Sequence, residues 1–142
     1  MVATPRPATA QAADDILDEA LQAAPDYFVE RDGELFAGLH LLVEMWGGRS
    51  LDDQAMVESI LRDAATAAGA TVLHGYFHRF ESGGGVSGVL VLAESHIGIH
   101  TWPEREFAAV DIFMCGACGP YDCLPVLRRG VDPGSFDVEE KR

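Results

Sequence analysis

From Leu39 to Trp46 the chain alternates, with Leu39, Leu41, Val43 and Met45 on one parity and His40, Leu42, Glu44 and Trp46 on the other. That two-residue period is the mark of a strand with one buried face. Gly47 and Gly48 break it. Ser50 with Asp53 makes a capping-box-like start for a helix that runs to about Ala68, where Gly69 stops it, and its apolar stripe is Met56, Ile60, Leu61, Ala64 and Ala68. A second strand is predicted over Thr71 to Phe80, setting Val72, His74, Tyr76, His78 and Phe80 against Leu73, Gly75, Phe77 and Arg79. The glycine-rich stretch Ser82 to Gly85 reads as a hairpin into a third strand, Val86 to Ala93, and a further strand covers Phe107 to Met114.

The ends are less regular. Met1 to Ala13, rich in Ala, Thr and Pro, reads as a disordered leader, and a short helix is expected from Asp14, with Ile16, Leu17, Ala20 and Leu21 at helical spacing and Pro25 beyond it. Arg31 to Glu34 has the composition of a turn. After Cys115, GACGPYDC reads as a loop, and Leu124, Val126 and Leu127 as one helical turn that Pro125 and Pro133 keep from extending. No element is assigned to the acidic stretch from Val131 to Arg142. Strand, helix, then several neighbouring strands argue an α+β fold, an antiparallel sheet with helices on one face. Residues 1–35 form an N-terminal extension and 36–142 the working domain.

Composition narrows the function. At 142 residues and 48% hydrophobic the chain is one globular domain. A net charge of −13 argues against nucleic acid or an anionic membrane as partner and favours a cationic one. The start lacks the apolar core of a secretory signal, and three cysteines cannot all pair, so a reducing cytoplasm is expected. No apolar run approaches the length of a membrane span.

Chemistry concentrates between Glu94 and Glu104, ESHIGIHTWPE, immediately after the apolar run Val89 to Ala93. By residue type alone Ser95 is a turn former at a strand end. His96 and His100 have the spacing of helical metal ligands, but Ile97, Gly98 and Ile99 favour strand, which would hold them about 13 Å apart and unable to share an ion. Cys115 and Cys118 form a C-x-x-C pair, which suggests a thiol or half-zinc module as another class of reading.

With FHRF (Phe77 to Phe80), GVSGV (Gly85 to Val89), ESH, HTWPE and DIFMCG (Asp111 to Gly116), the chain resembles the bacterial S-adenosylmethionine decarboxylase proenzymes over roughly Gly38 to Gly116. The resemblance implies a self-processing, pyruvoyl-dependent decarboxylase that supplies the aminopropyl donor for spermidine. In that reading the Ser95 hydroxyl attacks the carbonyl of Glu94, and elimination and hydrolysis cleave the chain between 94 and 95. The pyruvoyl group left on Ser95 forms a Schiff base with the substrate amine, so no metal and no pyridoxal phosphate is needed.

The family's roles fall, by matching position, on His100 as processing proton acceptor, Ser87 as second processing residue and Cys115 as catalytic proton donor. Phe80 and Trp102 would stack on adenine and Glu104 would accept the ribose hydroxyls, with Phe36 a weaker candidate for the same pocket; His96 is assigned a structural place. Arg105 and Glu106 stand where the family pattern has an aromatic residue and a glycine. An ornithine or arginine decarboxylase on the same scaffold is the alternative activity, and an unprocessed binding homologue the alternative class.

Strand geometry adds one expectation. If Ser87 to Ser95 were one extended strand, the two serines would stand roughly 26 Å apart, and the step from Ser95 to His100 reverses the face. A two-fold homodimer, its two sheets forming a sandwich, is therefore expected to share its sites, Ser87 and His100 of one protomer serving Ser95 and Cys115 of the other.

Overall fold

In the computed structural model, residues 27–142 are described. The leader and the helix expected from Asp14 lie outside them. Among the described residues eight strands and two α-helices follow in the order β1 (Val29–Arg31), β2 (Glu34–Phe36), β3 (Leu39–Trp46), α1 (Gln54–Ala67), β4 (Val72–Arg79), β5 (Val86–Leu92), β6 (Ser95–Trp102), β7 (Phe107–Met114), α2 (Cys123–Val131) and β8 (Ser135–Lys141). The first two pair only with each other, across a turn with Asp32 and Gly33 at positive φ, and that hairpin straddles the boundary expected at residue 35. The other six form one antiparallel sheet in the order β4-β5-β6-β7-β3-β8. The α+β expectation is met.

Parity decides which face is buried. Leu41, Val43 and Met45 of β3, Leu90 and Leu92 of β5, Ile97 and Ile99 of β6 and Val110, Ile112 and Met114 of β7 form one core with Val57, Ile60, Leu61, Ala64 and Ala65 of α1 and Leu127 and Val131 of α2. Each large aliphatic chain shut away there contributes about 1.5–3 kcal/mol. The opposite face carries His40, Leu42, Glu44, Trp46, His96, His100, Trp102 and Asp111, and neither helix covers it.

Four local expectations need correction. The N-cap of α1 is Asp53, whose side chain accepts from the Met56 amide, while Ser50 sits in the loop at φ 55. The buried stripe runs through Val57 and Ala65, and Met56 is exposed. In β4 a bulge between Val72 and His74 leaves Leu73 unpaired, so Val72 joins the helix-covered face while His74 and Tyr76 point away. Ala93 and Glu94 form a turn between β5 and β6, so Ser87 to Ser95 is not one strand.

The tail holds more structure than its prolines suggest. Pro125 is the third residue of α2, in the first turn, where a helix has no use for its missing amide, and α2 therefore runs nine residues. Asp132 closes it at φ 51, its amide returning to the Arg128 carbonyl. The acidic end that had no assignment is β8, an edge strand beside β3 on which Phe136 and Val138 face the helices and Asp137 and Glu139 the open side. Charges on such an edge discourage further strand pairing.

Candidate active site

Ser95 opens β6 at φ 140, a backbone region that L-residues other than glycine rarely occupy and that stores strain where it occurs. The peptide carbonyl immediately before it, that of Glu94, accepts two hydrogen bonds from one residue. The Cys115 amide donates at 3.0 Å and the Cys115 thiol at 2.9 Å. The Ser95 hydroxyl lies 3.8 Å from the same sulfur. The Glu94 carboxylate is turned aside to the Thr71 amide, 3.0 Å away, which anchors the turn. A hydroxyl, a strained backbone conformation at Ser95 and a carbonyl polarised by two donors thus meet at the end of β7, where Cys115 follows the last paired residue.

The second group lies at the other end of β6. There His100 pairs with Ser87 across β5, and Nδ1 and Oγ are 2.9 Å apart. Phe80, Ser82, Gly83, Gly85, Ser87, His100, Thr101, Trp102 and Glu104 surround a cavity of about 270 Å³. All three residues expected to hold substrate therefore line one cavity with the two processing candidates. Phe80 is 48% exposed and Trp102 41%, so neither ring is core packing. Phe36 is buried under the Arg142 guanidinium and does not line this cavity within one chain.

The two groups do not meet within one chain. Ser95 pairs with Leu92 and Met114, His100 with Ser87 and Ala109, so five residues of strand, roughly 17 Å, separate them. Their parities also differ: His100 shares the open face with His96, and Ser95 falls on the alternate set with Ile97 and Ile99.

Glu104 is carried by a short 3-10 turn, Pro103–Arg105, which Glu106 closes at φ 51. Glycine would adopt that conformation without cost, so the departure from the family pattern at Glu106 adds mild strain beside the pocket. Sequence reading passed over Thr101. Its hydroxyl is buried, accepts from the Val86 amide at 2.8 Å and donates to the Leu51 carbonyl at 2.7 Å. It thereby fixes the strand positions of His100 and Trp102 on either side; a hydroxyl at a core-facing position of an apolar strand was the available signal.

All three cysteines are free. Burial pushes the Cys123 thiol up to about 12, reinforced by Asp122 and Cys118, and burial with Glu94 and Cys115 nearby also raises Cys118. Neither is disposed to form the thiolate that a redox pair or zinc site requires, and Cys123 instead packs in the core against the Ala64 carbonyl.

An antiparallel sheet with its helices on one face, carrying a strained serine beside a thiol, defines an α+β protein. The crystal structure of adenosylmethionine decarboxylase from Aquifex aeolicus VF5 superposes with a TM-score of 0.64 at 30% identity, covering 74% of this chain and 88% of that one. The chain belongs to the S-adenosylmethionine decarboxylase family, whose pattern it matches over residues 39–142. S-adenosylmethionine decarboxylase proenzymes of Methanococcus aeolicus and Thermomicrobium roseum are 49% and 43% identical to it, each over 71% of this chain and 88% of the relative. That of Caldanaerobacter subterraneus is 48% identical over 65% of this chain and 76% of its own length.

Proposed function

We propose that this chain is a self-processing, pyruvoyl-dependent S-adenosylmethionine decarboxylase whose product serves as aminopropyl donor for spermidine. The observation that carries the reading is the Glu94 carbonyl held by both Cys115 donors next to the strained Ser95. Attack of Ser95 Oγ on the Glu94 carbonyl carbon places negative charge on the oxygen those donors already hold, the arrangement that stabilises such an intermediate. Collapse breaks the C–N bond to give an ester, and loss of the Ser95 α-proton expels the Glu94 carboxylate. Addition of water to the dehydroalanine then releases ammonia and leaves a pyruvoyl group at the start of the second chain. That group supplies a carbonyl that accepts the substrate amine and draws electrons as carbon dioxide leaves.

The remaining residues have assignable tasks. His100, with Ser87 beside it, accepts the Ser95 α-proton; Cys115, a thiol at the reacting group, returns a proton to the product carbon. Phe80 and Trp102 offer aromatic faces to a purine and a sulfonium, and Glu104 a carboxylate to ribose hydroxyls. A nucleoside substrate suits this pocket better than ornithine or arginine, which have no ring to stack.

These tasks require His100 and Ser95 within reach of one another, and a second copy of the chain supplies that reach. The open face exposes Leu42, Trp46, Tyr76, Val89, Val91 and Trp102, an apolar surface suited to another such sheet. We read the protein as a cytoplasmic homodimer, with free thiols suited to a reducing compartment.

Intact-mass measurement tests the reading: wild type should separate into chains 1–94 and 95–142, the latter reactive to hydroxylamine, and Ser95→Ala should stay whole. Carbon dioxide release should follow S-adenosylmethionine and neither ornithine nor arginine. Cleavage of Ser95→Ala, or preference for either amino acid, would overturn it.

A further inference from the structure

Three chemistry-bearing side chains outside the cavity wall converge on the open face. Asp111 stands on β7, the strand between β6 and β3, with His96 on one neighbour and His40 on the other. Both imidazoles are opposite Phe113, two residues along, and lean back toward the carboxylate. His96 Nε2 lies 2.9 Å and His40 Nε2 3.2 Å from Asp111 Oδ2, and donor atoms of all three residues fall within 4.8 Å of one another.

The setting holds this convergence in place. The Phe113 ring packs against both imidazoles, at centroid distances of 5.6 and 6.1 Å, which limits their swing. Gly98, paired with Asp111, leaves room for the carboxylate, since a Cβ there would stand 2.7 Å from Asp111 Oδ1. In the single chain the side chains are 38–39% exposed, so an ion can reach them before a second sheet closes over this face.

We propose that His40, His96 and Asp111 bind a divalent first-row transition metal ion. A tetrahedral ion with metal–ligand bonds of 2.0–2.1 Å keeps its donors about 3.3 Å apart, close to the spacing of each imidazole from the carboxylate here. Two imidazoles and one carboxylate are donors suited to zinc, cobalt, nickel or iron rather than to magnesium or calcium. Three ligands leave an outward position for water. The ion ties together the three central strands of the open face. Sequence spacing had argued that His96 and His100 could not share an ion; the partner of His96 is instead His40, from another strand. The site depends on neither the cleavage nor the substrate proposed above.

The test uses the full chain in its uncleaved Ser95→Ala form, freed of metal with chelator, so that the outcome is independent of decarboxylation. Calorimetric titration with Zn²⁺ should show one equivalent bound per chain and a raised melting temperature. Co²⁺ should give visible bands of nitrogen and oxygen ligation without thiolate charge transfer. His40→Gln, His96→Gln and Asp111→Asn should each weaken binding beyond the roughly 10–100-fold that loss of an outer-shell partner costs. Cys115→Ser with Cys118→Ser, and His74→Gln with His78→Gln, should leave it unchanged. Absence of saturable binding, a thiolate band, or full affinity in folded ligand variants would overturn the proposal. Should the ligand variants fail to fold, the stoichiometry and Co²⁺ spectrum of the parent protein decide.

Discussion

The Ser87 hydroxyl and His100 Nδ1 lie 2.9 Å apart on paired strands, at the end of β6 away from Ser95. Ser87 is thus a local partner of His100, and the processing role proposed for the pair requires a Ser95 that one chain does not bring to it. Co-expression of Ser95→Ala with His100→Ala tests this sharing. The mixed dimer has one site carrying both defects and one with intact Ser95 and His100, so the His100→Ala chain should be cleaved, as mass spectrometry would show. Heterodimers without cleavage, or a processed and active monomer, would rule sharing out.

Cys115 bonds the Glu94 carbonyl through both its amide and its thiol, so Cys115→Ala keeps one donor of two. Cleavage should slow by roughly tenfold or less, the worth of one neutral hydrogen bond. Decarboxylation per cleaved chain should fall much further, because the product carbon loses its proton source. A cleavage time course and product yield on the same samples separate the effects; unaltered turnover would remove Cys115 from the proton-donor role.

Trp102 and Glu104 share the cavity with Phe80. Trp102→Ala should weaken S-adenosylmethionine binding by about 1–3 kcal/mol, the range for a base stacked on an aromatic side chain. Glu104→Gln should also weaken it while leaving self-cleavage intact. Substrate affinity measured on fully processed protein checks both.

The pH response of stability follows from Cys123, whose thiol rises from 9.0 to about 12 in the fold. The folded chain keeps a proton that the unfolded chain releases, so this contribution is complete below about pH 9 and is lost as pH rises toward 12. Chemical denaturation across that window should show falling stability, with a shallower fall in Cys123→Ala. An identical slope in both proteins would contradict the assignment.

The sequence by itself determined the strands whose apolar positions alternate without interruption. For β3 and β7 the residue bounds were readable, and for β3 the two faces as well, because His40 and Glu44 break the apolar run on one parity only. The cluster ESHIGIHTWPE was readable too, and the motifs pointed to the family before any fold was known. Elements whose local signal was outweighed by their surroundings escaped: β8 is too acidic to look like a strand until β3 offers it an edge, and α2 tolerates Pro125 because only its first turn is affected. Tertiary structure alone decided that the Ala93–Glu94 turn folds Ser87 back onto His100 and that Cys115 reaches the Glu94 carbonyl. It also decided that His40 and His96 converge on Asp111 from both sides. Each of these is a contact between residues on different strands or at their ends, set by register and parity across the sheet, which no local window of residues encodes.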